Sequence, residues 1–148
     1  KINQQISARN PICTNPREHK NMNENEISYS IRGSIFKVYN SIGPGLLESA
    51  YEAALAYELR KDGLNVATQV GLPFVYETIH MDMGYRIDIL VENKVIIEVK
   101  SVEQLADVHY KQLLTYLKLS DKRLGILVNF NTDKIDQSIK RIVNNLIE

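Results

Sequence analysis

Three ionisable residues stand in a stretch otherwise composed for burial. From Gly84 to Ser101 the chain reads Gly-Tyr-Arg-Ile-Asp-Ile-Leu-Val-Glu-Asn-Lys-Val-Ile-Ile-Glu-Val-Lys-Ser, two arms rich in Ile and Val around a polar turn at Glu92-Asn93-Lys94. Arms of this kind form a β-hairpin. Asp88, Glu98 and Lys100 are the exceptions. Strand side chains alternate between faces, so Glu98 and Lys100 point the same way. With a three-residue turn at Glu92–Lys94, Asp88 falls directly opposite Glu98. The same pairing puts Tyr85, Ile87, Ile89, Val91, Val95, Ile97 and Val99 on one face and Arg86, Asp88, Leu90, Ile96, Glu98 and Lys100 on the other. A slip of one residue would mix the two sets. Opposed Cβ atoms sit about 4.5–5.5 Å apart. Carboxylates that close repel unless a proton or a cation lies between them, and a single lysine supplies one charge. A divalent cation on hard oxygen ligands, Mg²⁺ or Mn²⁺, is the simplest solution. The bland alternative is a solvated ladder of surface charges. Leu90 and Ile96 interleave with the charges, as in a sheet covered on both sides. Half-buried carboxylates are the more often functional ones.

The surrounding segments must supply a frame for that pair. Ile31, Ile35, Val38 and Ile42 recur at spacings of three and four, which predicts an amphipathic helix over 27–41 that ends at Gly43-Pro44-Gly45. A second helix is expected from Leu46 to about Lys61, with Gly63 closing it. Glu48 lies in its first turn, where the helix dipole favours a carboxylate and where simple dipole complementation is a sufficient role. Tyr51 shares a side with it. The segment 65–78 reads as a strand interrupted near Gly71 and Pro73. His80-Met81-Asp82-Met83 is expected to be the turn into the hairpin, with His80 merely solvated. A helix over 109–119 follows, with Gln112 and Tyr116 on one face. In isolation that pair is a tyrosine ring packed beside a surface glutamine. Residues 123–130 form a nearly continuous apolar run, suited to a central strand. Ile135, Ile139, Ile142, Val143 and Leu146 predict a closing amphipathic helix over 133–147. A helix between the third and fourth strands permits a parallel crossover, giving an α/β fold with a mixed sheet flanked by helices on both faces.

Composition narrows the classes. The chain has 148 residues, enough for one domain with a real core, taken as 22–148. Basic and acidic residues balance at 18 each, which argues against coating nucleic acid by bulk charge. Lys111, Lys118, Lys122 and Arg123 offer at most a modest basic rim. Cys13 is the only cysteine, so there is no internal disulfide and no cysteine metal cluster. No apolar run approaches the length of a membrane span. No signal peptide is visible, so a cytoplasmic protein is expected. Residues 1–21 lack apolar periodicity and are expected to be disordered or a non-native extension, with Met22 resembling a natural start.

An acidic residue on one strand followed by Glu-x-Lys on the next, within α-β-β-β-α-β order, resembles the PD-(D/E)XK nuclease superfamily. The half-motifs are Asp88 and Glu98-Val99-Lys100. Gly45-Leu46-Leu47-Glu48-Ser49-Ala50-Tyr51 spells Gly-x-x-Glu-x-x-Tyr, which resembles the GxxExxY branch of that superfamily. Gln112 and Tyr116 make a Gln-x-x-x-Tyr element similar to that of RecB-like members, and the Leu-Val-Asn-Phe-Asn run ending at Asn131 also looks like the family. One departure is Ile87 where the motif's proline often stands. The resemblance implies a restriction-endonuclease-like αβββαβ core with an extra C-terminal helix. It implies a Mg²⁺-dependent (or Mn²⁺-dependent) nuclease that hydrolyses phosphodiester bonds, in DNA before RNA, by a metal-activated water. Asp88, Glu98 and the Val99 carbonyl would be metal ligands, with Glu48 joining directly or through water. Lys100 would orient the water or stabilise charge on the phosphate. Gln112 and Tyr116 would position the substrate backbone. A catalytically silent nucleic-acid-binding or regulatory module of the same fold is the second reading. A homodimer built on the first and last amphipathic helices is compatible with either.

Overall fold

The computed structural model describes residues 21–147. The expected extension over 1–21, with Cys13, lies outside the described residues except at its end, where Lys94 Nζ donates to the Asn21 side chain and to the Met22 carbonyl, both at 2.6 Å.

Helix α1 (Glu24–Ile42) begins two residues past Met22 for a local reason. The Asn23 side chain accepts from the Glu26 amide at 2.9 Å while the Glu26 carboxylate accepts from the Asn23 amide at 3.1 Å, a reciprocal cap. Helix α2 spans Glu48–Lys61, so Glu48 is its first residue. The strands are β1 (Val66–Gly71), β2 (Phe74–Tyr76), β3 (Ile79–Met81), β4 (Arg86–Val91) and β5 (Val95–Lys100). Helix α3 (Asp107–Ser120), β6 (Leu124–Asn129), a 3-10 turn (Ile135–Gln137) and β7 (Ile139–Val143) complete the chain.

The five-stranded sheet runs β1-β4-β5-β6-β7. Only β5 and β6 pair in parallel, and α3 makes the crossover between them. One face buries Ile27, Ile31, Ile35, Leu55 and Leu59 of α1 and α2 against Ile89, Val91, Val95, Ile97 and Val99. The other packs Leu113, Tyr116 and Leu117 of α3 on Ile87, Ile96 and Leu127. This is the mixed sheet flanked by helices on both faces expected from the element order, and it is consistent with the restriction-endonuclease-like core that the resemblance implies.

Three expectations are corrected. The closing helix over 133–147 does not form; a 3-10 turn leads into the edge strand β7, antiparallel to β6. Ile139 and Ile142 are three apart, which imitates helical spacing. In a strand the same interval sends them to opposite faces, and each covers a different core cluster. The C-terminal helix of the expected dimer face is therefore absent. Second, His80 and Met81 do not form the turn into the hairpin but belong to β3, which pairs with β2 through Tyr76↔Ile79. Their reversal is at Glu77-Thr78, with Glu77 at φ 56°. Third, Tyr85 and Ile87 do not share a face with Ile89. Ile87 packs in the α3 cluster, and the Tyr85 ring lies 6.1 Å from that of Tyr116 on α3. Strand β4 changes face at Asp88.

The contact between α3 and the sheet is close at one point. A Cβ on Gly125 of β6 would come within 2.9 Å of the Leu113 side chain. Gly125→Ala is expected to destabilise the fold by about 1–3 kcal/mol through overpacking. Denaturant midpoints should show the double variant with Leu113→Ala falling short of the sum of the single losses, because the truncated leucine makes room for the added methyl.

Candidate active site

The hairpin register brings the two acidic residues together as expected. The ladder runs through Val91↔Val95, Leu90↔Ile96 and Ile89↔Ile97 and then gives way to side-chain contacts. The Asp88 amide donates to Glu98 Oε1 at 3.3 Å, and the Val99 amide donates to Asp88 Oδ2 at 2.9 Å. Each carboxylate thus takes an N–H of the opposite strand. The neighbouring strand is distorted at the same level: Gln69 of β1, at φ 51°, stands between the pairs Thr68↔Ile89 and Val70↔Ile87. The face change that sends Ile87 and Tyr85 towards α3 falls at this same level.

Glu98 is 4% exposed. Burial, and after it the charge of Asp88, push its carboxyl up to about 8, with Lys100 pulling the other way. Nearly buried acid groups raised this far are concentrated at functional sites. Lys100 follows two residues later on the same face, and the described residues give its ammonium no ion-pair partner.

The backbone adds an acceptor. The Lys100 carbonyl accepts from the Phe130 amide at 2.9 Å and so points towards β6. Successive carbonyls in a strand alternate in direction, so that of Val99 points towards β4, on the side where its own N–H meets Asp88.

Glu48 does not join the pair. Its Oε1 accepts from the Ser101 amide at 3.2 Å, and Ser101 Oγ donates to the Leu46 carbonyl at 2.7 Å. These bonds tie the start of α2 to the end of β5. Among the described residues no three His, Cys, Asp or Glu side chains form a group able to hold a metal. The donor set fits a hard divalent cation only as two carboxylates completed by the Val99 carbonyl and by water or phosphate oxygens.

The tyrosine of Gly-x-x-Glu-x-x-Tyr has a structural duty. Tyr51 Oη donates to the Gly43 carbonyl at 2.5 Å and accepts from the Leu46 amide at 3.2 Å. Its ring stacks on Phe130, centroids 4.4 Å apart. Gly45 sits at φ 110°, a conformation that costs glycine little. Tyr51→Phe is expected to lose roughly 1–3 kcal/mol of stability, because the loop that seats Glu48 loses its brace; thermal unfolding of the two proteins measures it.

On α3, Gln112 Nε2 donates to Tyr116 Oη at 3.1 Å. Burial and the nearby Glu98 carboxylate raise the Tyr116 hydroxyl above its ordinary value. Two members of the expected basic rim lie away from the acidic pair. Lys122 Nζ donates to the Asn93 side chain at the hairpin turn, and Arg123 adjoins it, at the end of the sheet remote from Glu98.

Two residues join the site that the sequence did not single out. Gln69 Nε2 donates to both Glu52 oxygens, at 2.9 and 3.0 Å, and reaches Asp88 Oδ1 at 3.5 Å. Burial raises the Glu52 carboxyl, the Gln69 bond lowers it and the Asp88 charge adds to the rise. Glu52 follows Glu48 by one helical turn, a spacing visible in the sequence. Gln69 carries no such signal, since only β1–β4 pairing brings it there.

A family model of the PD-(D/E)XK nuclease superfamily matches residues 25–142, from the first turn of α1 to the last residues of β7. No curated protein and no solved structure matches the chain.

Proposed function

The chain belongs to the PD-(D/E)XK nuclease superfamily, and we propose that it is a Mg²⁺- or Mn²⁺-dependent nuclease acting on DNA. The observation that carries this reading is the buried Glu98 opposed to Asp88, with Lys100 beside it. Asp88, Glu98 and the Val99 carbonyl would hold the cation, and Glu48 would reach it through water. A bound divalent cation acidifies water and offsets charge on phosphate oxygens. Lys100 places a fixed positive charge where the phosphoryl oxygens become more negative. Gln112 and Tyr116 position the substrate from α3. Gln69 and Glu52 hold the Asp88 carboxylate in its orientation. The Gly45, Glu48 and Tyr51 pattern supports placing the chain in the GxxExxY branch. This reading sets the enzyme in the cytoplasm and treats residues 22–148 as its single domain.

One observation favours a second reading. Glu48 is engaged with the Ser101 amide, and among the described residues no third acidic side chain completes the pair, as befits a silent nucleic-acid-binding module. Incubation of labelled duplex DNA, single-stranded DNA and RNA with Mg²⁺, Mn²⁺ or a chelator separates the two. Metal-dependent cleavage supports the nuclease. Retention of nucleic acid without cleavage under every condition supports the silent module.

A further inference from the structure

On the α3 side of the sheet lies an open groove of about 400 Å³, joined to the acidic pair through its lining residue Tyr116, whose hydroxyl feels the charges of Glu98 and Asp88. That size falls in the roughly 300–1,000 Å³ range of small-ligand sites. Phe74 and Tyr85 line one side, Val108 and Lys111 contribute from α3, and Gln112 and Tyr116 lie where groove and candidate active site meet. Tyr85 is 42% exposed and Val108 64% exposed, so large apolar surface is left open to water here. The Tyr85 and Tyr116 rings are inclined at 53° to one another. The Gln112 amide N–H is taken by Tyr116, and its carbonyl oxygen has no hydrogen-bond partner among the described residues.

We infer that this groove receives an unpaired nucleobase next to the scissile phosphate, so that the substrate is single-stranded or frayed nucleic acid. The inference rests on the nuclease reading of the Asp88–Glu98 pair. Four features carry it. Aromatic faces stack with any base. The Gln112 carbonyl can accept from a base edge. Among the described residues Lys111 is the one charged residue lining the groove, which suits contact with a single phosphate and not with a run of them. The chain's net charge is zero, so backbone electrostatics cannot supply most of the affinity. A paired base stays stacked inside its duplex and cannot enter. The shared chemistry is the base, whether it comes from DNA or RNA.

The test is fluorescence anisotropy of the full chain in Ca²⁺ with labelled probes of one sequence: single-stranded DNA, single-stranded RNA, duplex DNA and single-stranded DNA carrying abasic sites. Wild type, Tyr85→Ala and Tyr85→Phe are compared, since Tyr85 is exposed enough for truncation to leave the fold intact. Single strands should bind at least about tenfold more tightly than the duplex or the abasic strand, with shallow dependence on salt. Tyr85→Ala should lose about tenfold and Tyr85→Phe almost nothing. Equal binding of duplex and single strand, unchanged binding by Tyr85→Ala, or no binding of any probe overturns the inference. Cleavage in Mg²⁺ is read separately. Duplex cut equally by wild type and Tyr85→Ala overturns the groove assignment and leaves the nuclease standing. Base-dependent binding without any cleavage supports the groove and overturns catalysis.

Discussion

Lys100→Ala is expected to lower metal-dependent cleavage by roughly 10²–10³-fold, the cost of removing one preorganised charge from a developing oxyanion. Asp88→Ala should abolish cleavage, because it removes both a proposed cation ligand and the acceptor of the Val99 amide. Neither should unfold the protein. Lys100 makes no ion pair among the described residues, and the hydrophobic clusters on both sides of the sheet contain neither residue. Single-turnover cleavage of a labelled strand, with far-ultraviolet circular dichroism on the same samples, checks both halves. Full activity in either folded variant would remove the residue from the chemistry. A parallel loss of structure would move it to the scaffold.

The second large effect concerns pH and stability. In the folded, metal-free protein the Glu98 carboxyl is pushed up to about 8 from an ordinary 4.5, first by burial and then by Asp88. Between those values the folded chain holds a proton that the unfolded chain gives up. Glu98 therefore contributes stability that is fully present below about 4.5 and is lost as pH rises through about 8. Linkage makes this worth a few kcal/mol across the interval. Denaturant midpoints of metal-free protein should fall as pH rises from 5 to 9, and Glu98→Gln should flatten much of that fall. Saturating Mg²⁺ should reverse the trend, because only the ionised carboxylate binds a cation and binding to the folded state alone stabilises it. A Glu98→Gln profile that falls as steeply as wild type would mean that other groups set the dependence.

What was legible in the chain follows from which contacts are local. The hairpin pairing could be read because its two faces differ and its turn is short, so one register alone keeps Ile89, Val91, Val95 and Ile97 together. The break at Asp88 could not. It coincides with Gln69 in a left-handed conformation on a strand brought alongside from earlier in the chain, and no local pattern announces that. The C-terminal segment misled because isoleucines at intervals of three and four satisfy a helix stripe and, equally, the two faces of an edge strand between unlike cores. Ile and Val there favour the strand, and pairing with β6 decides it. Glu48 was found by its motif, yet its bond to the Ser101 amide appears only once α2 and β5 are docked.

Calorimetric titration of the purified protein with Mn²⁺, wild type beside Asp88→Asn, bears most directly on the acidic pair as a cation site. Asparagine keeps the shape of the side chain and an oxygen for the Val99 amide, so the comparison changes charge and little else. The site described above predicts Mn²⁺ binding by wild type, alone or with a short oligonucleotide supplying phosphate oxygens, and its loss in Asp88→Asn. Binding that survives unchanged in the variant, or no binding by wild type even with the oligonucleotide present, would contradict it.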